Sequence, residues 1–255
     1  MRFLGFDDVH IGLLLGSTLV NSVVFTLFAS FYADRIGRRK LLVIYASLMS
    51  VSGVIFAFTN NYYLLILAAF MGTINVTGSE TGAFLTIEQA ILPQTIKDKK
   101  KMNTLFALYN MLGTFAMSGG ILLSGLPSLL QEQYSALSNV ESIKILFGLY
   151  STVGLVVMII YIMVSGEIEI KSSIKRTVKQ TLSPKSKRIV GKLSGLFAID
   201  SFAGGFVIQS VVSLWFFTRF GADLTTLSYI FSAAGILTAF SYIAAAKIAD
   251  RIGLV

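Results

Sequence analysis

Ala33–Arg39 reads ADRIGRR, and Ala249–Gly253 reads ADRIG again. The first copy puts four charges into seven residues, between two apolar runs, Val9–Tyr32 and Leu41–Thr59. Working outward from it, the same alternation continues along the chain. Uncharged stretches cover 9–33, 41–59, 62–91 (broken by charge only at Glu80 and Glu88), 102–131, 145–166, 193–217 (interrupted by Asp200) and 224–246. A helix needs roughly 20 apolar residues to cross the hydrocarbon core. The pattern therefore predicts an all-α integral membrane protein with about seven transmembrane helices. Asn60–Asn61 separates the second span from the third, and Gly125 with Pro127 marks the exit of the fourth.

Composition agrees. Hydrophobic residues are 55% of the 255, charged residues 13%, and mean hydropathy is +0.76. That charged share is about half that of a soluble domain. There is no cysteine and a single histidine, His10, so Cys-based zinc sites and His-rich catalytic clusters are excluded. Met1–Asp8 is too short and mixed to read as a cleavable leader, and the run after it is long enough to span.

The net charge of +8 is a matter of topology. Segments 34–40, 97–101, 166–192 and 247–251 hold 18 of the 21 Lys and Arg, leaving Arg2, Lys144 and Arg219 for the alternate loops. Seven crossings put the four basic segments on one side, which the positive-inside rule makes cytoplasmic. No nucleic-acid partner is needed to explain the charge. In 166–191, Ile170, Ile174, Val178 and Leu182 recur every fourth residue among Lys171, Lys175, Arg176 and Lys179. This predicts a basic amphipathic helix on an anionic inner leaflet, ended by Ser183–Pro184.

The two charged phrases belong to a longer repeat. At a constant offset of 216, Gly5 meets Gly221, Asp7 meets Asp223, and 33–37 meets 249–253. Between these anchors each copy holds an uncharged helix with small residues, such as Gly16 and Ser17 in the first and Ser232 and Ala233 in the second. Transporters are often built from such repeats.

At this point ADRIGRRK resembles the loop between the second and third helices of the major facilitator superfamily, whose pattern runs roughly G-x-x-x-D-R-x-G-R-R. The second ADRIG resembles the weaker copy between helices eight and nine. The leading glycine is Ser30 here, and Ala246 in the second copy. The resemblance covers essentially the whole chain and reads its spans as family helices two to eight. It implies part of a twelve-helix, two-half architecture: 1–165 from the first half, 166–191 as the linker, and 192–255 opening the second half. The first helix and the last four are then missing, so the chain reads as a fragment. The resemblance implies a secondary transporter of a small solute working by alternating access, ion- or proton-coupled, in the plasma or inner membrane. A truncated, non-transporting fragment or membrane scaffold is the alternative. No zinc, nucleophile or phosphate-loop motif supports an enzyme, and no cofactor is implied.

Site residues follow. The resemblance makes Asp34 and Arg38 gate residues supported by Arg35, Gly37 and Arg39, with Asp250, Arg251 and Gly253 as their counterparts. Glu88 resembles the family's acid before the next loop, and so is a candidate partner for Arg38 or Arg39. Glu80 lies at hydrocarbon depth, where a carboxylate needs a cavity or a partner. Asn75 and Ser79 share its polar stripe. Asp200 sits seven residues into its span, with Gln209 beyond. The resemblance brings these two acids to a central cavity from opposite halves, with Asn110 a weaker candidate. Carboxylates without deep Lys or Arg suit a cationic ligand, or proton coupling. An Asp34→Asn substitution in the complete protein is expected to impair transport while leaving membrane insertion intact; unchanged uptake would refute the gate.

Overall fold

A computed structural model describes residues 4–72, 82–95, 102–133, 137–164, 169 and 183–252, apart from the side chains of Thr95, Lys185 and Asp250. The described residues form ten helices. They are α1 Asp8–Ile36, α2 Arg38–Phe58, α3 Tyr62–Met71, α4 Ala83–Thr95 and α5 Met102–Leu123. Then come α6 Leu126–Gln133, α7 Asn139–Met163, α8 Pro184–Gly204, α9 Gln209–Phe220 and α10 Leu224–Ile252. With α5–α6 and α8–α9 taken as continuous runs, six stretches are long and apolar enough to cross a membrane, and α3 is a shorter apolar helix. The expected third span is thus divided between α3 and α4. The predicted linker helix lies outside the described residues.

The breaks have local causes. Asn61 caps α3, its side chain accepting from the N–H groups of Tyr63 and Leu64. Ser183 caps α8 by accepting from Ser186 N–H, with Pro184 in the first turn, so Ser183–Pro184 starts a helix. The expected single span 193–217 starts earlier and bends after Gly204–Gly205. There the N–H groups of Phe206 and Val207 turn back to Ala203 and Gly204. Two successive glycines weaken the helix at that point.

The 216-residue repeat is physical. α1 and α10 both run 29 residues, and their ends, 8 and 36 against 224 and 252, keep the offset. Gly5 and Gly221 both have positive φ, 80° and 65°, a conformation that favours glycine. Two residues on, Asp7 Oδ1 accepts from His10 N–H at 2.9 Å and Asp223 Oδ1 from Thr226 N–H at 3.0 Å. The same left-handed glycine and the same aspartate cap launch both helices. Both carboxyls lie below the ordinary range. The His10 backbone and ring lower Asp7, and the Thr226 side chain and backbone lower Asp223. Their folded values are depressed, so the caps contribute fully above the unfolded value of about 4 and fade as pH falls through the folded one.

Two seams of small residues hold helices close. Between α2 and α7, a Cβ on Gly53 would lie 2.8 Å from Ser151 N, and one on Gly154 would lie 2.9 Å from Ser50 N. Ser50 Oγ and Ser151 Oγ are 3.2 Å apart, and Ser151 Oγ donates to Ser50 O at 2.9 Å. The contact is reciprocal: Ser-x-x-Gly on α2 meets Ser-x-x-Gly on α7, running antiparallel. At a second seam, Gly235 of α10 faces the Ser118 side chain of α5, and Gly125, just past the end of α5, faces the Ser228 side chain of α10. Small residues at such interfaces allow the close backbone approach that drives helix association in lipid. Outward-facing Val20, Val23, Leu27 and Phe31 leave a greasy exterior on α1.

Gly53→Leu or Gly154→Leu should force α2 and α7 apart. Overpacking of this kind costs about 1–3 kcal/mol or more. Ser50→Ala removes a hydroxyl and should cost only about 0.6 kcal/mol. Thermal unfolding in detergent should rank the leucine variants well below the alanine variant; equal melting temperatures would contradict the seam.

Candidate functional site

Gly37 turns the chain between α1 and α2 with φ 110°. Arg38, almost fully buried, donates from Nε to Asp34 Oδ1 at 2.9 Å, so the predicted pair forms across the turn and not along one continuous helix. Its Nη1 reaches Ala90 O of α4 at 3.4 Å. Arg39 donates from Nε to Tyr161 O at 3.2 Å and from Nη2 to Ile162 O. These carbonyls belong to the last turn of α7, where they have no partner within the helix. Arg35 is exposed, its guanidinium 5.8 Å from the Tyr32 ring centroid.

Glu169, which the sequence reading passed over, closes this corner. Its Oε2 accepts from Arg38 N–H at 3.0 Å and its Oε1 from Arg39 N–H at 3.1 Å. The first turn of α2 holds three basic residues and no acidic one, opposing the positive end of the helix dipole. An anion from elsewhere is the remedy, and Glu167 and Glu169 are the two acids that open an otherwise basic segment. That imbalance was the signal available in the sequence. Gly37 is required twice, since a Cβ there would sit 3.0 Å from Glu169 Oε1 on a backbone that side chains rarely adopt.

Glu88 departs from expectation. The sequence paired it with Arg38 or Arg39. Instead, its Oε2 accepts from the Tyr109 hydroxyl of α5 and its Oε1 from the Tyr161 hydroxyl of α7. Arg38 and Arg39 are already engaged by Asp34 and by backbone carbonyls, and Glu88 sits one half-turn short of Ala90. It faces a cavity of about 770 Å³. α4 and α5 supply Glu88, Tyr109 and Asn110 to the walls, while α9 and α10 supply Gln209, Ser213 and Ser228. Tyr150, Phe231 and Tyr242 add aromatic surface. Among the described lining residues Glu88 is the single charged one. Asn110 donates to Phe106 O at 2.8 Å in its own helix.

The structure thus brings Glu88, Asn110 and Gln209 together. Asp200 does not line this cavity: it is exposed on α8, whose described side chains are exposed almost throughout. The central position expected for it is not observed, because no described helix covers α8 there. Asn75, Ser79, Glu80 and Gly253 lie outside the described residues, as does the side chain of Asp250; Arg251 is exposed in the last turn of α10. Among the described residues no cluster of His, Asp or Glu gathers to hold a metal ion.

Long apolar helices, small-residue seams and a cavity with one carboxylate define a multi-pass α-helical membrane protein. A family model described as Major Facilitator Superfamily matches residues 1–255, and the chain belongs to that superfamily, a family of transporters. It is 24% identical over 282 residues to an uncharacterized membrane protein of Saccharomyces cerevisiae, covering 99% of this chain and 63% of that protein. It is 29% identical over 105 residues to the arabinose-proton symporter of Bacillus subtilis, covering 41% of this chain and 22% of the symporter. The chain spans less than two thirds of the length of either relative. No solved structure is a significant match.

Removing the Glu169 carboxylate should destabilise the start of α2. Loss of a cap costs about 0.5–2 kcal/mol. Thermal unfolding should place Glu169→Gln, which keeps one acceptor, between the native protein and Glu169→Ala; no change in either variant would show that the carboxylate carries no stability.

Proposed function

We propose that this chain supplies seven spans of a secondary transporter that moves a small solute by alternating access, with Glu88 as the acid that takes up the coupling proton or the charge of the ligand. One observation carries the reading. The cavity is walled by α4, α5 and α7 on one side of the 166–191 linker and by α9 and α10 on the other. A site shared by two units that rock against each other is what alternating access requires.

The lining favours a small organic cation. A lone carboxylate leaves the described wall with one negative charge, and Tyr109, Tyr150, Phe231 and Tyr242 offer aromatic faces to a cation. The symporter relative supports proton coupling. The arabinose of that relative's name, together with the amide and hydroxyl groups of Asn110, Gln209 and Ser213, supports a neutral polyol as the second reading.

In this reading Asp34, Arg38 and Arg39, with Arg35, Gly37 and Glu169, latch the cytoplasmic face. Asp250, Arg251 and Gly253 are their counterparts in the second half. Glu80, with Asn75 and Ser79, remains a second acidic locus at depth, and Asp200 a third on the other half. The basic segments face the cytoplasm in the plasma or inner membrane, against anionic lipid.

Proteoliposomes of the full-length protein test this. An inward proton gradient is expected to drive uptake of a labelled organic monocation or pentose, the more effective class naming the ligand. Glu88→Gln should cut gradient-driven uptake about tenfold or more, as expected for loss of the proton site, and leave solute exchange without a gradient intact. Uptake by Glu88→Gln at the native rate would remove Glu88 from the mechanism. Absence of uptake for every solute would favour the scaffold.

A further inference from the structure

We infer that Tyr161 is a positioning residue that ties the charge state of Glu88 to the hold on Arg39. The inference rests on the reading of Glu88 as the cavity acid. Tyr161 is bonded at both ends. Its hydroxyl donates to Glu88 Oε1, while its backbone carbonyl accepts from Arg39 Nε at 3.2 Å. A single residue thus spans from the cavity wall to the Gly37 corner.

The chemistry gives the link a direction. Tyr161 and Ile162 lie in the last turn of α7, which ends at Met163, and their carbonyls are capped by Arg39 from α2. The Tyr161 side chain anchors that turn from the other side, on Glu88 and against Phe84, whose ring is stacked at 5.9 Å and 15°. An ionised carboxylate accepts a hydrogen bond roughly twice as strongly as a neutral group. When a proton or a cationic ligand neutralises Glu88, the anchor weakens. The last turn of α7 is then held by Arg39 and the Phe84 stack without the carboxylate anchor, and the corner loosens.

The groups that face Glu88 are few among the described residues. Tyr109 comes from α5 and Tyr161 from α7. From α2, Arg38 reaches Ala90 O, Arg39 reaches Tyr161 O, and Tyr45 is bonded to Phe25 O at 3.1 Å. Tyr109 touches Glu88 with no bond to the corner, so it provides an internal control.

The absence of cysteine makes the test direct. Ala33, buried at the end of α1 in the cluster that holds Leu41, Leu42 and Phe84, is replaced by cysteine in the full-length protein. Maleimide labelling is then followed in nanodiscs, with rates corrected for the reagent's own dependence on pH by a free-thiol standard. Lowering pH through the titration of Glu88 should speed labelling about fivefold, the equivalent of one hydrogen bond of about 1 kcal/mol. Glu88→Gln should be fast at every pH. Tyr161→Phe, which keeps the ring stack and the carbonyl, should also be fast and flat, and Tyr109→Phe should keep the slope. Arg39→Lys breaks the far end of the link and should match Tyr161→Phe, which secures the test if the phenylalanine variant does not assemble. A native slope in Tyr161→Phe, or in Arg39→Lys, with a flat Glu88→Gln overturns the coupling and leaves Glu88 as the acid. A native slope in Glu88→Gln overturns both.

Discussion

The backbone N–H groups that open α2 share one carboxylate, and most of the architecture near Gly37 depends on that arrangement. A helix that begins Arg-Arg-Lys places positive side chains on its positive pole. Glu169 neutralises the pole, and the two arginine side chains are freed to serve other elements. Arg38 closes the turn onto Asp34 and reaches α4, while Arg39 satisfies the frayed carbonyls of α7. Four segments distant in sequence meet because each has an unsatisfied group that another can complete.

The repeat shows the same economy at the opposite ends of the helices. Gly5 and Gly221 adopt one backbone conformation, and Asp7 and Asp223 cap by one hydrogen bond. The interiors of α1 and α10 diverged further. Asn21 of α1 binds the Phe70 carbonyl on α3, whereas its counterpart in α10 is the exposed Leu237. The ends are kept because they set where each helix starts and stops, and the interiors answer to different neighbours.

The fold was largely legible because lipid imposes a length and a polarity on every span. The helices over 9–33, 41–59 and 224–246 were read to within three residues at each end, except that the last runs six residues further; Asn60–Asn61 marked a boundary between spans, whereas Ser183–Pro184, read as a helix end, starts one. Breaks inside spans were harder. Gly204–Gly205 was visible, but two glycines within an apolar run specify no bend until packing is known. At the corner, the Asp34–Arg38 pair was local and readable, whereas Glu169 lies 131 residues from Arg38 and only an excess of charge hinted at it. Glu88 was read from its resemblance to the family's acid before the next loop, which places it near the membrane boundary and gives no bearing around the helix. Its orientation toward Tyr109 and Tyr161 came from tertiary packing. The cavity lining takes in Asn110 and Gln209 and not Asp200.

The seam between α5 and α10 has one more consequence. Its contact surface is made of glycine Cα atoms and serine hydroxymethyl groups, with Ser118, Ser228 and Ser232 all buried. Over that stretch the two backbones meet with little side chain between them, while at one end the Phe115 and Phe240 rings interlock in a T-shaped contact, 5.2 Å between centroids. The aromatic pair works as a pivot beside a smooth bearing: a small rotation about it leaves the serine and glycine surfaces in contact, whereas sliding one helix along the other has to pull the rings apart.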